Sequence, residues 1–434
     1  MPTERTLLMS LQLDPRFSKG KQMWLLADEA HELKELAIAA GCEVVGEMSA
    51  KRHQPVAGTF VGTGKLEEIV RLTAETRAQV VIFNHELSPA QQRNIEEQLG
   101  VKTIDRTQLI LDIFARRAKS REGKVQVELA QLRYQMPRLV GKRDALSRLG
   151  GGIGTRGPGE QKLEVDRRRV RARITRLSDE LEQLGRRRAA TRARRKETEI
   201  PVAALVGYTN AGKTTLLNRL TGAVGVARNQ LFTTLDPLAR RFSLPNGEPM
   251  VVTDTVGFLH HLPHHLIEAF KATLEEARDA DVLLHVVDAS SPLAVEHMNA
   301  VEDVLKQLAL QATPRITVLN KFDQCVDAQR VTTLERLQQP TCVMSAKTGQ
   351  GIEQLLALLV AQLALLLVEP SHVRLPVERA DLLSLIYQSG HVLQRETSGD
   401  GITVTARLPE PVKTRLAPYL TTEVTKLHRD TEQF

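Results

Sequence analysis

Two rhythms of apolar and polar positions run along this chain, and the change between them divides it. Over residues 1–115, short apolar runs at Leu7–Leu13, Glu43–Met48 and Val80–Phe83 predict strands. Helical periodicity over Met23–Ala40, Gly64–Thr76 and Ser88–Leu99 predicts helices between them, the last starting at a Ser88-Pro89 cap signal. Such alternation predicts a small α/β domain with a largely parallel sheet. The rhythm then changes. Val125, Leu129, Leu132, Met136 and Leu139 repeat at heptad spacing, as do Val170, Ile174, Leu177, Leu181 and Leu184 after an earlier Leu163. Two narrow stripes predict an antiparallel helical hairpin over 116–197. Alternation resumes over 198–368 and predicts a mostly parallel sheet with flanking helices. From 371 to 434, helix-like 378–389, strand-like 391–397 and 402–408 about a turn at Ser398–Gly401, and helix-like 410–420 predict a small α+β domain. The expected fold class is therefore multidomain α/β.

Charge sharpens the hairpin. The 434 residues carry a net charge of +7, but residues 116–197 alone hold 25 Lys+Arg against 10 Asp+Glu, leaving −8 for the rest. A surplus of +15 in one segment points to a polyanion, nucleic acid above all, with a solvated basic helix as the alternative. Between the stripes, residues 141–160 (GKRDALSRLGGGIGTRGPGE) contain seven glycines and the cations Lys142, Arg143, Arg148 and Arg156. A loop with few side chains, Gly151 and Gly152 among its glycines, can follow an irregular phosphate backbone; a plain connector is the alternative. Aromatics make up only 3% of the chain, which argues against recognition by base stacking. RNA shape and phosphates are the expected target, and no DNA partner is expected.

The central domain carries the chemistry. After the strand-like VAALV, residues Gly207-Tyr208-Thr209-Asn210-Ala211-Gly212-Lys213-Thr214 match G-x-x-x-x-G-K-[ST], with Thr215 in the following helix. Backbone amides of such a loop wrap phosphates at a positive helix end, Lys213 reaches the outer phosphates, and Thr214 faces Mg²⁺. Asp254-Thr-Val-Gly257 fits D-x-x-G, with Asp254 near the metal and the Gly257 amide near the γ-phosphate. Asn320-Lys321-Phe-Asp323 fits N-K-x-D, whose carboxylate accepts from guanine N1–H and its exocyclic amine. Adenine offers neither donor there, and stranding that carboxylate costs on the order of 1–3 kcal/mol. Ser345-Ala346-Lys347 completes the base site. The expected ligands are GTP or GDP with Mg²⁺. Upstream, LFTTLDP is a candidate switch whose Thr234, with Thr233 as the alternative, would complete the metal shell. Lys213, Thr234 and Gly257 are the expected catalytic positions, and Thr214, Thr234 and Asp254 the expected metal ligands. Phe258 stands where many GTPases place a water-orienting glutamine, and it cannot hydrogen-bond to water, so another residue or a partner must complete the site. The alternative is that Phe258 merely packs while another residue of this chain positions the water.

Together, GYTNAGKT, LFTTLDP, DTVGF, NKFD, SAK and the hairpin loop with LGGGIGTRGPGE resemble the HflX family of bacterial GTPases over residues 1–368. The resemblance implies a GTPase that binds the large ribosomal subunit, brings its hairpin loop to the peptidyl-transferase region and its rRNA, and separates stalled or stress-arrested ribosomes. The alternatives are an assembly factor holding the large subunit and an antiassociation module with GTP as a binding switch. Some relatives are credited with ATP binding in the N-terminal region. Here Gly58–Lys65 lacks a phosphate-loop pattern, with Thr59 and Leu66 at its key positions, and reads as a tight turn into a helix or as a contact with rRNA or ATP.

The remaining features are bland. His260, His261, His264 and His265 carry no completing carboxylate, so a solvated loop is expected rather than a metal site. Cys42, Cys325 and Cys342 lie far apart and predict neither disulfides nor zinc. The apolar stretch Leu355–Val368 is too short to span a bilayer and reads as a core helix; at most peripheral membrane association is expected. With no export signal, a cytoplasmic monomer is expected.

Overall fold

The computed structural model describes residues 3–14, 24–141, 158–197, 200–223, 231–232, 238–259, 276–367, 370–376, 379–398 and 401–421. The N-terminal sheet contains β1 (Arg5–Leu13), β2 (Glu43–Arg52), β3 (Val80–Phe83) and β4 (Lys102–Asp105), all parallel in the order β2-β1-β3-β4. Helices α1 (Leu26–Ala39), α2 (Thr63–Thr76) and α3 (Pro89–Leu99) connect the strands. A capping box between Ser88 and Gln91 starts α3, as the Ser-Pro signal predicts. Two elements escape the sequence pattern: β4, only four residues long, and α4 (Arg106–Arg117). Helix α4 buries Arg106 and Thr107 along with Leu109, Ile110, Leu111, Ile113 and Phe114, leaving a thin polar stripe at Gln108, Asp112 and Arg116, so polarity along the sequence is a poor guide to its buried face.

The hairpin consists of α5 (Arg121–Gln135), a 3₁₀ turn over Met136–Gly141, and the 40-residue α6 (Pro158–Glu197). Val125, Leu129 and Leu177 form its buried seam, flanked by Leu132, Ile174 and Leu181. The first heptad stripe is shorter than its pattern. Pro137 lies inside the 3₁₀ turn, and a proline lacks the N–H that another helical turn needs, so Met136 and Leu139 fall outside the helix. Helix α5 also has a second buried stripe, Val127, Ala130 and Tyr134, which joins a core shared by the N-terminal and central domains. It is thus a wedge between α6 and the rest of the molecule.

The central sheet orders β10-β9-β8-β5-β7-β6, from β5 (Val202–Gly207), β6 (Leu238–Ser243), β7 (Pro249–Asp254), β8 (Val282–Asp288), β9 (Arg315–Asn320) and β10 (Thr341–Val343). It is parallel except for the β6–β7 pair. Helix α7 (Lys213–Thr221) follows β5, with α8 (Ala294–Gln307), α9 (Ala328–Leu337) and α10 (Ile352–Leu367) completing the flanks. Leu355, Leu359 and Leu363 of α10 are buried in the domain core, and no described helix is long and apolar enough to cross a membrane. The C-terminal sheet is antiparallel, ordered β12-β13-β11-β14 from β11 (Ser371–Leu375), β12 (His391–Ser398), β13 (Gly401–Arg407) and β14 (Leu420–Thr421). Helices α11 (Ala380–Ser389) and α12 (Glu410–Leu416) accompany it.

Leu177 is 1% exposed in the hairpin seam, whereas Leu184 on the same helix is only half-buried. Leu177→Ala should cost about 2–4 kcal/mol in urea denaturation, and Leu184→Ala under about 1 kcal/mol. Equal losses would contradict this seam.

Candidate functional site

Strand β5 is buried along nearly its whole length and ends at Gly207, where the chain turns over the sheet edge into α7. Two glycines make the turn possible. Gly207 has φ +154°, and a Cβ there would sit 2.2 Å from the Val286 carbonyl oxygen. Gly212 has φ +98°, and its Cβ would sit 2.2 Å from Asn320 Nδ2. Between them, Tyr208, Thr209 and Ala211 are buried and Asn210, at φ +62°, is exposed. Lys213, 7% exposed, donates from Nζ to the carbonyl oxygens of Gly207 at 3.0 Å and Tyr208 at 2.9 Å. Burial pulls its ammonium down to about pKa 8, against the opposing pull of Asp254.

The D-x-x-G segment lies against this loop. Thr214 Oγ1 donates to Asp254 Oδ2 at 2.7 Å, and Asp254 is fully buried at the end of β7. A Cβ on Gly257 would sit 2.9 Å from Thr209 Cα and 3.0 Å from Lys213 Nζ, so only glycine lets that backbone come so near. Thr209 N donates to Phe258 O at 2.8 Å, and Phe258 N to Gly207 O at 3.1 Å. The Phe258 ring is 1% exposed and packs in the shared core. Thr215, half-buried, follows in the first turn of α7.

On the other side, Asn320 ends β9 as a clamp. Its Nδ2 donates to Ala211 O at 2.8 Å, and its Oδ1 accepts from Ala346 N at 2.9 Å, joining the loop to the Ser345-Ala346-Lys347 segment. Asp323 Oδ1 accepts from Ser345 Oγ at 2.6 Å. Lys321, at φ +62°, pairs through Nζ with Asp288 at 2.7 Å, and Lys347 is exposed. Arg219 donates to the carbonyls of Ala346 and Lys347. Asp288 and Arg219 escape motif reading because they bind backbone or a motif lysine from outside the signature strings. So does Glu32, far away on α1, which accepts from the Tyr208 hydroxyl.

Several expected positions lie outside the described residues: Thr233, Thr234, the hairpin-loop Lys142, Arg143, Arg148, Gly151, Gly152 and Arg156, and His260, His261, His264 and His265. Among the described residues, no cluster of three His, Cys, Asp or Glu side chains could hold a metal, and the three cysteines are free. The Gly58–Lys65 segment turns at Phe60 (φ +64°) into α2, where Lys65 pairs with Glu68.

The chain matches four families in series. They are described as GTP-binding GTPase N-terminal (residues 27–115), GTP-binding GTPase Middle Region (117–195), 50S ribosome-binding GTPase (202–321) and HflX C-terminal domain (332–425). It is 47% identical over 390 residues to the GTPase HflX of Caldanaerobacter subterraneus subsp. tengcongensis, covering 90% of each chain. To the GTPase HflX of Escherichia coli it is 42% identical over 395 residues, covering 91% of this chain and 92% of that one. Among solved structures it is similar to a GTP-binding protein from the archaeon Sulfolobus solfataricus in complex with GDP. That match has 25% identity and a TM-score of 0.44, over 84% of this chain and 100% of that one. With the two HflX relatives each matching nine-tenths of its length, the chain belongs to the HflX family of GTPases.

Proposed function

We propose that this GTPase is Mg²⁺-dependent, binds the rRNA of the large ribosomal subunit through its basic hairpin, and uses GTP to separate stalled or stress-arrested ribosomes in the cytoplasm. The observation that carries the ribosome reading is α6, whose Arg168, Arg169, Arg171, Arg176, Arg186 and Arg187 are exposed along a helix seated on α5. Arginines spaced along a rod suit successive phosphates of a folded RNA, and the loop cations Lys142, Arg143, Arg148 and Arg156 would extend that contact. The match to a 50S ribosome-binding GTPase family over residues 202–321 points the same way.

In the nucleotide site, Lys213 exchanges the two loop carbonyls for phosphate oxygens and stabilises the charge that develops there in the transition state. Loop amides from Tyr208 to Thr215 cradle the phosphates, and the close approach of Gly257 leaves its amide free of side-chain bulk beside the γ-phosphate. Thr214 and Asp254 present hard oxygen donors beside each other, the kind Mg²⁺ takes in small number alongside phosphate oxygens, and Thr234 is the third expected donor. When bound, Mg²⁺ neutralises charge on the phosphates. Asp323 accepts from guanine, with Ser345, Ala346 and Lys347 closing over the base and Asn320 and Lys321 holding that loop to the phosphate side.

Two outcomes check these roles. Asn320→Ala leaves the Ala211 carbonyl and Ala346 amide without their clamp, at about 1–3 kcal/mol each. GDP binding by calorimetry should weaken at least about tenfold; an unchanged affinity removes Asn320 from the site. The ribosome reading is tested by light scattering on purified intact ribosomes with GTP, for the wild type and for a variant with Arg143, Arg148 and Arg156 changed to Gln. The wild type should lower the scattering, and the variant should bind large subunits about tenfold more weakly or worse. No loss of scattering with the wild type would favour a factor that holds the large subunit with GTP as a binding switch.

A further inference from the structure

The second residue of the phosphate loop is fastened to another domain. The Tyr208 ring is 6% exposed and stacks on His297 of α8 at 3.9 Å between centroids and 16° between planes, with Trp24 of the N-terminal domain 6.1 Å away. Its hydroxyl donates to Glu32 Oε1 on α1. Glu32 Oε2 in turn accepts from Arg106 Nη2, the first residue of α4, at 2.7 Å. The side chains of Arg106 and Glu32 are 8% and 9% exposed, so this pair is held away from water.

What the ring anchors is the working part of the loop. The Tyr208 carbonyl is one of the two acceptors for Lys213 Nζ, and the next amide, Thr209 N, holds Phe258 O beside Gly257. Only the χ1 and χ2 torsions separate the Tyr208 ring from the backbone, and stacking on His297 limits the ring further. A tether at the hydroxyl therefore restrains the peptide between Lys213 and the D-x-x-G segment. A hydroxyl bound to a buried, ion-paired carboxylate is stronger than a neutral pair.

We propose that Glu32, supported by Arg106, is a positioning residue for the nucleotide site, which acts through the Tyr208 hydroxyl to hold the phosphate loop in its phosphate-binding shape. Through this tether, the N-terminal domain sets how tightly the central domain holds GTP and GDP. A second contact joins the same two domains: Phe232, next in sequence to the expected switch threonines, packs edge-on against Phe114 of α4 at 4.6 Å. The proposal rests on the phosphate-loop reading above, which GDP binding by the wild-type protein tests by itself.

The experiment measures dissociation of fluorescent GDP, and KM and kcat for GTP, on the full chain carrying Glu32→Ala, Tyr208→Phe, both, or Glu32→Gln. Glu32→Ala and Tyr208→Phe should each speed GDP release and raise KM about three- to tenfold, the size of one lost hydrogen bond, while kcat moves less than twofold. The double variant should be no worse than either single one, and Glu32→Gln, which keeps an acceptor oxygen, should recover most of the loss. Additive losses, a Glu32→Gln as impaired as Glu32→Ala, or release and KM unchanged in a folded Glu32→Ala protein would each overturn the proposal. Should Glu32→Ala fail to fold, Tyr208→Phe alone decides, and unchanged GDP release overturns it. Failure of the wild type to bind GDP would instead refute the phosphate-loop reading.

Discussion

A lysine ammonium buried at a sheet edge, hydrogen-bonded to two carbonyls of its own loop, governs this molecule. Taking a cation out of water costs several kcal/mol unless polar groups receive it. Here the carbonyls of Gly207 and Tyr208 receive Lys213, with the Asp254 charge nearby. That arrangement requires a loop folded tightly enough to aim carbonyls inward, which is why Gly207 and Gly212 take backbone angles open to glycine and leave no room for a Cβ. It also requires neighbours that keep the loop from relaxing. Asn320 ties it to the Ser345-Ala346-Lys347 segment on one side, and the D-x-x-G backbone presses against it on the other.

Those neighbours belong to more than one domain. A single buried apolar cluster takes in Leu33 and Leu36 of α1, Phe114 of α4, Val127 and Ala130 of α5, Phe232 and Phe258 of the central domain, and Leu305 of α8. Interiors are packed densely enough that a shift in one part is felt by the parts it touches. Helix α5 extends the chain of contacts, since its other face forms the hairpin seam with α6. The nucleotide loop, the N-terminal domain and the basic hairpin are thereby in mechanical contact.

Much of this was legible in the sequence, for identifiable reasons. The candidate nucleotide site is written in contiguous strings because backbone geometry at Gly207, Gly212 and Gly257 tolerates little substitution. Strand Val80–Phe83 and the start of α3 were legible from local chemistry, a short apolar run and a Ser-Pro cap. Helix α4 was not, because its buried face includes Arg106 and Thr107 and its polar stripe is thin, at Gln108, Asp112 and Arg116. The second face of α5 was hidden too, since Val127, Ala130 and Tyr134 interleave with the heptad positions. The Glu32–Arg106–Tyr208 chain lay beyond reach for another reason: its members are separated by 74 and 176 positions, and only the folded core brings them together.

If Glu32 holds the 207–214 loop as proposed, that loop and the N-terminal domain respond to nucleotide as one unit. Hydrogen–deuterium exchange of the full chain, with GDP and then with a non-hydrolysable GTP analogue, tests it most directly. Exchange in α1 and α4 should differ between the two nucleotides along with that of the loop at 207–214. A difference confined to the central domain, with α1 and α4 unchanged, would contradict it.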